Sequence, residues 1–240
     1  GHAIVMRSIP ESDPVHQITI IPRGGAGGFT MQLPEEDKQY ATKGMMLNDI
    51  KHLLGGRVAE LLTLDDISTG ASNDIQRATD VARAMVTKYG FSDKLGPVNY
   101  SDSEEVFLGN DFSSKKSYSE EVAAEIDHEI RRIVEEAFEE TKKIISENLD
   151  KLESVAQALL AVETLDGQQF EQLYTGEKSA EDIENDVMEK EAEIRKVNAQ
   201  EAEESERLRR EAEERLMEEI ERLRNQYVSA DGTTHRRDEE

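Results

Sequence analysis

The chain has 240 residues, 36% of them hydrophobic, enough for one domain with a core plus a less compact part. Its 53 acidic residues against 29 basic ones leave a net charge of −24, which argues against a basic phosphate-binding surface and so against nucleic acid as a partner. There is no cysteine, so disulfides and thiolate metal sites are excluded, and no apolar run reaches the roughly 18 residues of a membrane span.

Gly1-His2-Ala3-Ile4-Val5 opens the chain without a methionine and within an apolar helical pattern, so the sequence begins inside an element. Ser8-Ile9-Pro10 and Ser12-Asp13-Pro14 break that helix, and Val15 to Ile21 alternates as a strand does. The run Gly24-Gly25-Ala26-Gly27-Gly28 lacks the Lys-Ser/Thr of a phosphate loop and leads into no helix. It predicts a hairpin tip or bulge. Leu33-Pro34-Glu35-Glu36-Asp37 reads as an exit turn. Thr42 is the expected N-cap of a helix ending near Leu64, with Leu47, Ile50, Leu54, Val58 and Leu61 on one face. Gly55-Gly56 interrupts it at about 1 kcal/mol per glycine relative to alanine, a loss that the close approach of another helix would offset.

The polar segment Ile67 to Asp74 precedes a helix marked by Ile75, Ala78, Ala82, Met85, Val86 and Tyr89 and ended by Gly90. Ser72, Asn73 and Asp74 are all good N-caps, and an acid there suits the helix dipole, so Asp74 is either a cap or a presented ligand. Residues 98–118 form a polar loop with an apolar interlude at Val106-Phe107-Leu108. Ser119 then caps a long helix whose stripe is Val122, Ile126, Ile130, Ile133, Ala137, Ile144 and Leu149. Leu152, Val155, Leu159 and Val162 continue it on a second helix closed by Thr164 to Gly167, and Phe170, Leu173 and Tyr174 form a last short one. Beyond Gly176, Glu and Arg dominate. Leu216, Ile220, Leu223 and Tyr227 approximate a heptad seam that lapses at Glu201 to Arg207, so the expectation is a long solvated helix with weak self-association. His16, His52 (taken to face outward), His128 and His235 show no partner at ligand spacing. The fold class is therefore mainly α, a helical domain with a small β-hairpin followed by a long charged C-terminal helix.

The order Gly1 to Val5, Ile20-Ile21-Pro22-Arg23-Gly24, Phe29 to Asp37, Leu54-Gly55-Gly56-Arg57-Val58-Ala59-Glu60, Ser68 to Asp74, Ala84 to Thr87, Lys94 to Val98 and Glu105 to Gly109 resembles the peptidase domain of the FtsH family of ATP-dependent zinc metalloproteases. The resemblance covers residues 1–174. It implies a His-Glu-x-x-His helix, in which two imidazoles one turn apart hold zinc and the Glu activates water. Gly1-His2 matches only the last two positions, so His2 is the second zinc ligand, while the first His and the general-base Glu are expected ahead of Gly1. Asp74 matches the family's third protein ligand. Glu60 matches an acidic position beside the zinc, either solvated or orienting a zinc-bound imidazole. The strand Ala26, Gly27, Gly28, Phe29, Thr30, Met31 matches the cleft edge that pairs with extended substrate.

The resemblance further implies polypeptide substrates, Zn2+ in the peptidase, ATP and Mg2+ only in an upstream ATPase module, a homo-hexamer, and membrane attachment through upstream segments with the peptidase in the cytoplasm. The expected division is a peptidase domain at 1–176, a charged helix or coiled-coil-like extension at 177–228 and a disordered tail at 229–240. With the first His and the Glu lacking, the chain as given is expected to be inactive. The alternative is a non-catalytic helical interaction module acting through its acidic tail, with Asp74 merely a cap.

Overall fold

The computed structural model describes residues 1–10, 12–22, 27–33, 40–101 and 118–231. They divide into two units, Gly1–Glu184 and Asn185–Glu240. The first is organised around α2 (Lys43–Thr63), which packs against α1 (His2–Ser8), α3 (Ser72–Thr87) and α4 (Glu120–Ser146). Thr42 caps α2, its side chain accepting from the Met45 amide at 3.2 Å, and Ser119 caps α4 in the same way through the Val122 amide at 3.3 Å. One buried cluster joins Ile50 and Leu54 of α2, Ala78, Ala82 and Met85 of α3, and Ile126, Ile130 and Ile133 of α4. Leu61, Ile75 and Tyr89 share the helical spacing but lie outside it, exposed.

The second cluster collects α1, α5 (Leu149–Val162), α6 (Gly167–Thr175) and a small sheet around Ile4, Leu165 and Phe170. The sheet holds β1 (Val15–Thr19) antiparallel to β2 (Phe29–Gln32), as expected of a hairpin, and adds a third strand. Thr164–Asp166, read from the sequence as a closing turn, is β3 and pairs antiparallel with the other edge of β1, giving the order β2-β1-β3. Glu163 makes this possible. It takes φ 60° at the end of α5, a left-handed conformation that turns the chain back onto β1. Asp166 then starts α6 through a reciprocal capping box with Gln169.

A salt-linked corner ties α1 to α6. Arg7 donates two bonds to the Glu171 carboxylate at 2.8 and 2.7 Å and lies 5.1 Å over the Tyr174 ring, whose hydroxyl is 3.0 Å from Ser8 Oγ. The last element is α7 (Ala180–Asp231), whose first turns bury Ile183 in the second cluster. Within the unit 185–240, Glu191–Arg195, Glu206–Arg210 and Arg209–Glu213 pair one turn apart, each pair contributing about 0.2–0.5 kcal/mol. Ile194, Val197, Leu208, Leu216, Ile220 and Leu223 are exposed along it. No described helix is long and apolar enough to cross a membrane. Ala26, the exit turn at Pro34 to Asp37 and the interlude at Val106 to Leu108 lie outside the described residues.

Candidate metal centre

The two glycines of α2 explain how His2 is placed. A Cβ on Gly55 would lie 3.1 Å from both His2 Cα and Val5 Cγ2, and one on Gly56 would lie 2.6 Å from His2 Nε2. Helix α1 therefore crosses α2 where α2 has no side chains, and the His2 ring lies in the space a methyl would fill. Its Nδ1–H donates to the His52 carbonyl oxygen at 2.8 Å. A carbonyl only accepts, so the proton is on Nδ1 and the Nε2 lone pair is free to face outward.

His52 itself is not on an outer face, contrary to its sequence reading. Its ring centroid lies 5.4 Å from that of His2, because α1 covers this side of α2. Burial pushes the His52 imidazole down to about 4, and the neighbouring His2 and Arg77 add to the shift. Burial also lowers His2, opposed by its bond to the His52 carbonyl and by Asp74. Both rings are thus favoured in the neutral, ligating form.

Asp74 is the third residue of α3. Ala71 holds the N-cap position without a side-chain hydrogen bond, so of the three good caps in this segment none occupies the cap. Instead Asp74 Oδ2 lies 3.5 Å from His2 Nε2, both side chains being roughly a quarter exposed. Two donors on one zinc, each about 2.0–2.2 Å from the metal with tetrahedral angles, stand about 3.3–3.5 Å apart. The pair fits zinc in donor chemistry, tautomer and separation.

Glu60 works one step away. Its Oε1 accepts from the Ser68 amide at 2.9 Å and its Oε2 from Arg57 Nη1 at 3.0 Å, while Arg57 Nη2 donates to the Ser68 carbonyl at 2.8 Å. The Ser68 bond holds the Glu60 carboxyl below its usual range. The His2 ring is oriented by the His52 carbonyl, and Glu60 secures the polar turn leading to Asp74.

Of the expected substrate strand, Phe29, Thr30 and Met31 lie in β2, whereas Gly27 and Gly28 precede it. Gly28 is required by contact, since a Cβ there would sit within 2.4 Å of the Thr19 carbonyl oxygen. His16 is exposed at an irregularity in β1, and His235 lies outside the described residues. His128, read as solitary, has ligand atoms of Glu125 and Glu129 within 4.8 Å. Cations already hold those carboxylates: Lys94 is 2.9 Å from Glu125, and Arg132 is 2.9 Å from Glu129.

Residues 1–173, which include both His2 and Asp74, match Peptidase family M41. The chain belongs to that family. This M41 chain is 64% identical over 178 residues to the ATP-dependent zinc metalloprotease FtsH 2 of Alkaliphilus metalliredigens, an alignment covering 74% of the chain and 26% of that protein. It is 58% identical over 178 residues to the ATP-dependent zinc metalloprotease FtsH 1 of a Thermoanaerobacter species, covering 74% of the chain and 29% of the relative. The Bacillus subtilis ATP-dependent zinc metalloprotease FtsH is 51% identical over 175 residues, 72% of the chain and 28% of that protein. The M41 chain thus spans less than a third of the length of these relatives.

Proposed function

We propose that residues 1–176 are the peptidase domain of an ATP-dependent zinc endopeptidase, with His2 and Asp74 as two of the three protein ligands. The observation that carries the reading is the 3.5 Å approach of His2 Nε2 to Asp74 Oδ2, with Nδ1 committed to the His52 carbonyl. In the His-Glu-x-x-His pattern the first His and the general-base Glu lie ahead of Gly1. Zinc bound here would lower the pKa of a bound water and polarise a peptide carbonyl. The chain's own residues do the rest. His52 and Gly56 hold the imidazole, Glu60 and Arg57 fix the turn that aims Asp74, and the edge of β2 aligns an extended polypeptide by strand addition.

Residues 1–240 alone hold two ligands and no general base, and are inactive by this reading. ATP and Mg2+ act in an upstream ATPase module of a membrane-anchored homo-hexamer, the peptidase domain lies in the cytoplasm, and residues 177–228 extend it as a charged helix. The names of the relatives, all ATP-dependent zinc metalloproteases, support the zinc and ATP parts of the reading.

The test begins with the codons ahead of Gly1, which should encode His-Glu-x. The polypeptide that includes them should bind about one zinc and hydrolyse unfolded casein, and Asp74→Ala should remove both. Retained zinc in that variant would overturn the ligand assignment. Proteolysis absent from the longer polypeptide would favour a non-catalytic interaction module.

A further inference from the structure

Helix α7 continues unbroken through Glu201 to Arg207, where a heptad seam lapses. A different period carries its apolar residues across that gap. Ile194 and Leu216 lie two steps of eleven residues apart with Ser205 between them, while Val197 and Leu208, and Ala212 and Leu223, lie one such step apart. Eleven residues make three turns at about 3.67 residues per turn, so these side chains, with Val187 and Ile220, form one stripe along the helix. Every described side chain from Met188 to Arg224 is exposed, Ile194 at 57%, Leu208 at 54% and Leu216 at 58%. A continuous apolar stripe left open on a charged helix is the mark of an interaction face.

The placement of the residues selects the partner. The centre of the stripe is symmetric about Ser205: Ile194 and Leu216 lie eleven residues to either side of it, and Val187 and Leu223 eighteen. A second α7 running the opposite way and crossing at Ser205 therefore layers Ile194 on Leu216 and Val187 on Leu223, and Val197 and Leu208 of both copies close one side of the seam. The charges agree with this direction. Glu201 and Arg209, four residues to either side of Ser205, both lie within the stripe, so each Glu201 meets Arg209 of the second copy, and Lys190 comes beside Glu219. A charge pair within a seam fixes the register rather than adding stability. A parallel pair would instead set the block Glu201, Glu203, Glu204 and Glu206 against itself, and Arg207, Arg209 and Arg210 against themselves. Acidic residues outnumber basic ones along α7, which disfavours an anionic lipid surface as the occupant.

We propose that α7 pairs through the stripe from Val187 to Leu223 with a second copy of this chain, antiparallel and centred on Ser205. The eleven-residue period gives such a pair a right-handed wind in place of the left-handed one of a heptad seam. The pairing stands on residues beyond the family match at 1–173, so it is independent of the zinc reading.

The chain has no cysteine, so introduced thiols report the pairing without interference. Full-length Ile194→Cys and Leu216→Cys chains, mixed in equal amounts and oxidised, should give the mixed cross-linked pair, and neither variant should cross-link to itself. In sedimentation equilibrium the parent chain should rise with concentration from its 27.1 kDa toward the mass of a pair. Leu216→Glu keeps a good helix former, yet it should weaken the association at least about 100-fold, because each pair loses two buried leucines. Arg209→Glu should weaken it about tenfold, and Glu201→Arg combined with Arg209→Glu should restore it. Self-cross-linking of either thiol variant at the yield of the mixed pair would show a parallel arrangement. A parent chain that stays at 27.1 kDa would show none, and association unchanged by Leu216→Glu would place the contact outside α7. Each of these results would overturn the proposal.

Discussion

A methyl group added at Gly56 would lie 2.6 Å from His2 Nε2 and 3.1 Å from Cε1, while Gly55, one residue earlier, faces the α1 backbone. In Gly56→Ala the obstacle is the far end of a side chain, so the ring turns away and the helices stay. The helix gains about 1 kcal/mol from replacing glycine. The turned ring loses its bond to the His52 carbonyl, about 0.5–1.5 kcal/mol, and an off-rotamer side chain costs a further 0.5–1.5 kcal/mol or so. The net is a loss of about 0–2 kcal/mol, a fall in Tm of a few degrees for a unit of this size. The effect on the site is larger, because a displaced donor should weaken zinc binding by about 10- to 100-fold. In Gly55→Ala the methyl meets His2 Cα at 3.1 Å, so α1 itself must shift, at about 1–3 kcal/mol. Thermal unfolding, zinc titration and long-range imidazole ¹⁵N spectra separate the two variants. A Gly56→Ala protein with an unchanged His2 spectrum and unchanged zinc affinity would refute the placement of the ring against α2.

Other perturbations follow from the same contacts. Glu129 is buried and accepts from Arg132, 2.9 Å away, and from Ser92 Oγ at 2.7 Å; the Arg132 bonds above all hold its carboxyl near 2. Its contribution is complete above the ordinary glutamate value of 4.5 and is lost as pH falls toward 2, a loss of about 3 kcal/mol at most. Urea unfolding across that window should reveal it, and Glu129→Gln should flatten the dependence; an equally steep profile in the variant would assign it elsewhere. Glu60→Ala frees the Ser68 amide and Arg57, so the temperature of thermal unfolding should fall, and zinc affinity with it. Loss of stability with zinc affinity intact would show that the turn does not position Asp74. Tyr174→Phe removes the bond to Ser8 and keeps the ring beneath Arg7, so it should cost only about 0.5–1.5 kcal/mol in thermal unfolding. A loss above about 3 kcal/mol would mean that the hydroxyl does more than close this corner.

Much of the helical layout was legible because its signals are local. Thr42 and Ser119 cap where their side chains predict, and Ile126, Ile130, Ile133 and Ala137 bury the expected stripe of α4. The same stripe includes buried Thr141, which polarity hides from a search for apolar spacing; its hydroxyl is satisfied by the Ala137 carbonyl at 2.7 Å. Strand β3 was missed because three residues carry no period, and its partner β1 is far away in the chain. Helical spacing also marks Leu61 and Ile75 as core, yet among the described residues they stay exposed.

The site was legible only in part. Neither His2 nor Asp74 announces the other by spacing, and it was the resemblance over residues 1–174 that paired them. The glycine pair Gly55-Gly56 did predict a close helix crossing, which proved to be α1. That His52 sits under the same crossing was not readable, since its neighbours along α2 place it only relative to its own helix. Its carbonyl, which orients His2, belongs to the backbone and leaves no mark in the sequence at all.

The most direct measurement is anomalous diffraction at the zinc edge from zinc-equilibrated crystals of the polypeptide extended by the residues ahead of Gly1. The account predicts a peak about 2.0–2.2 Å from both His2 Nε2 and Asp74 Oδ2. A peak among Glu125, His128 and Glu129 instead, or no peak between His2 and Asp74, would contradict it.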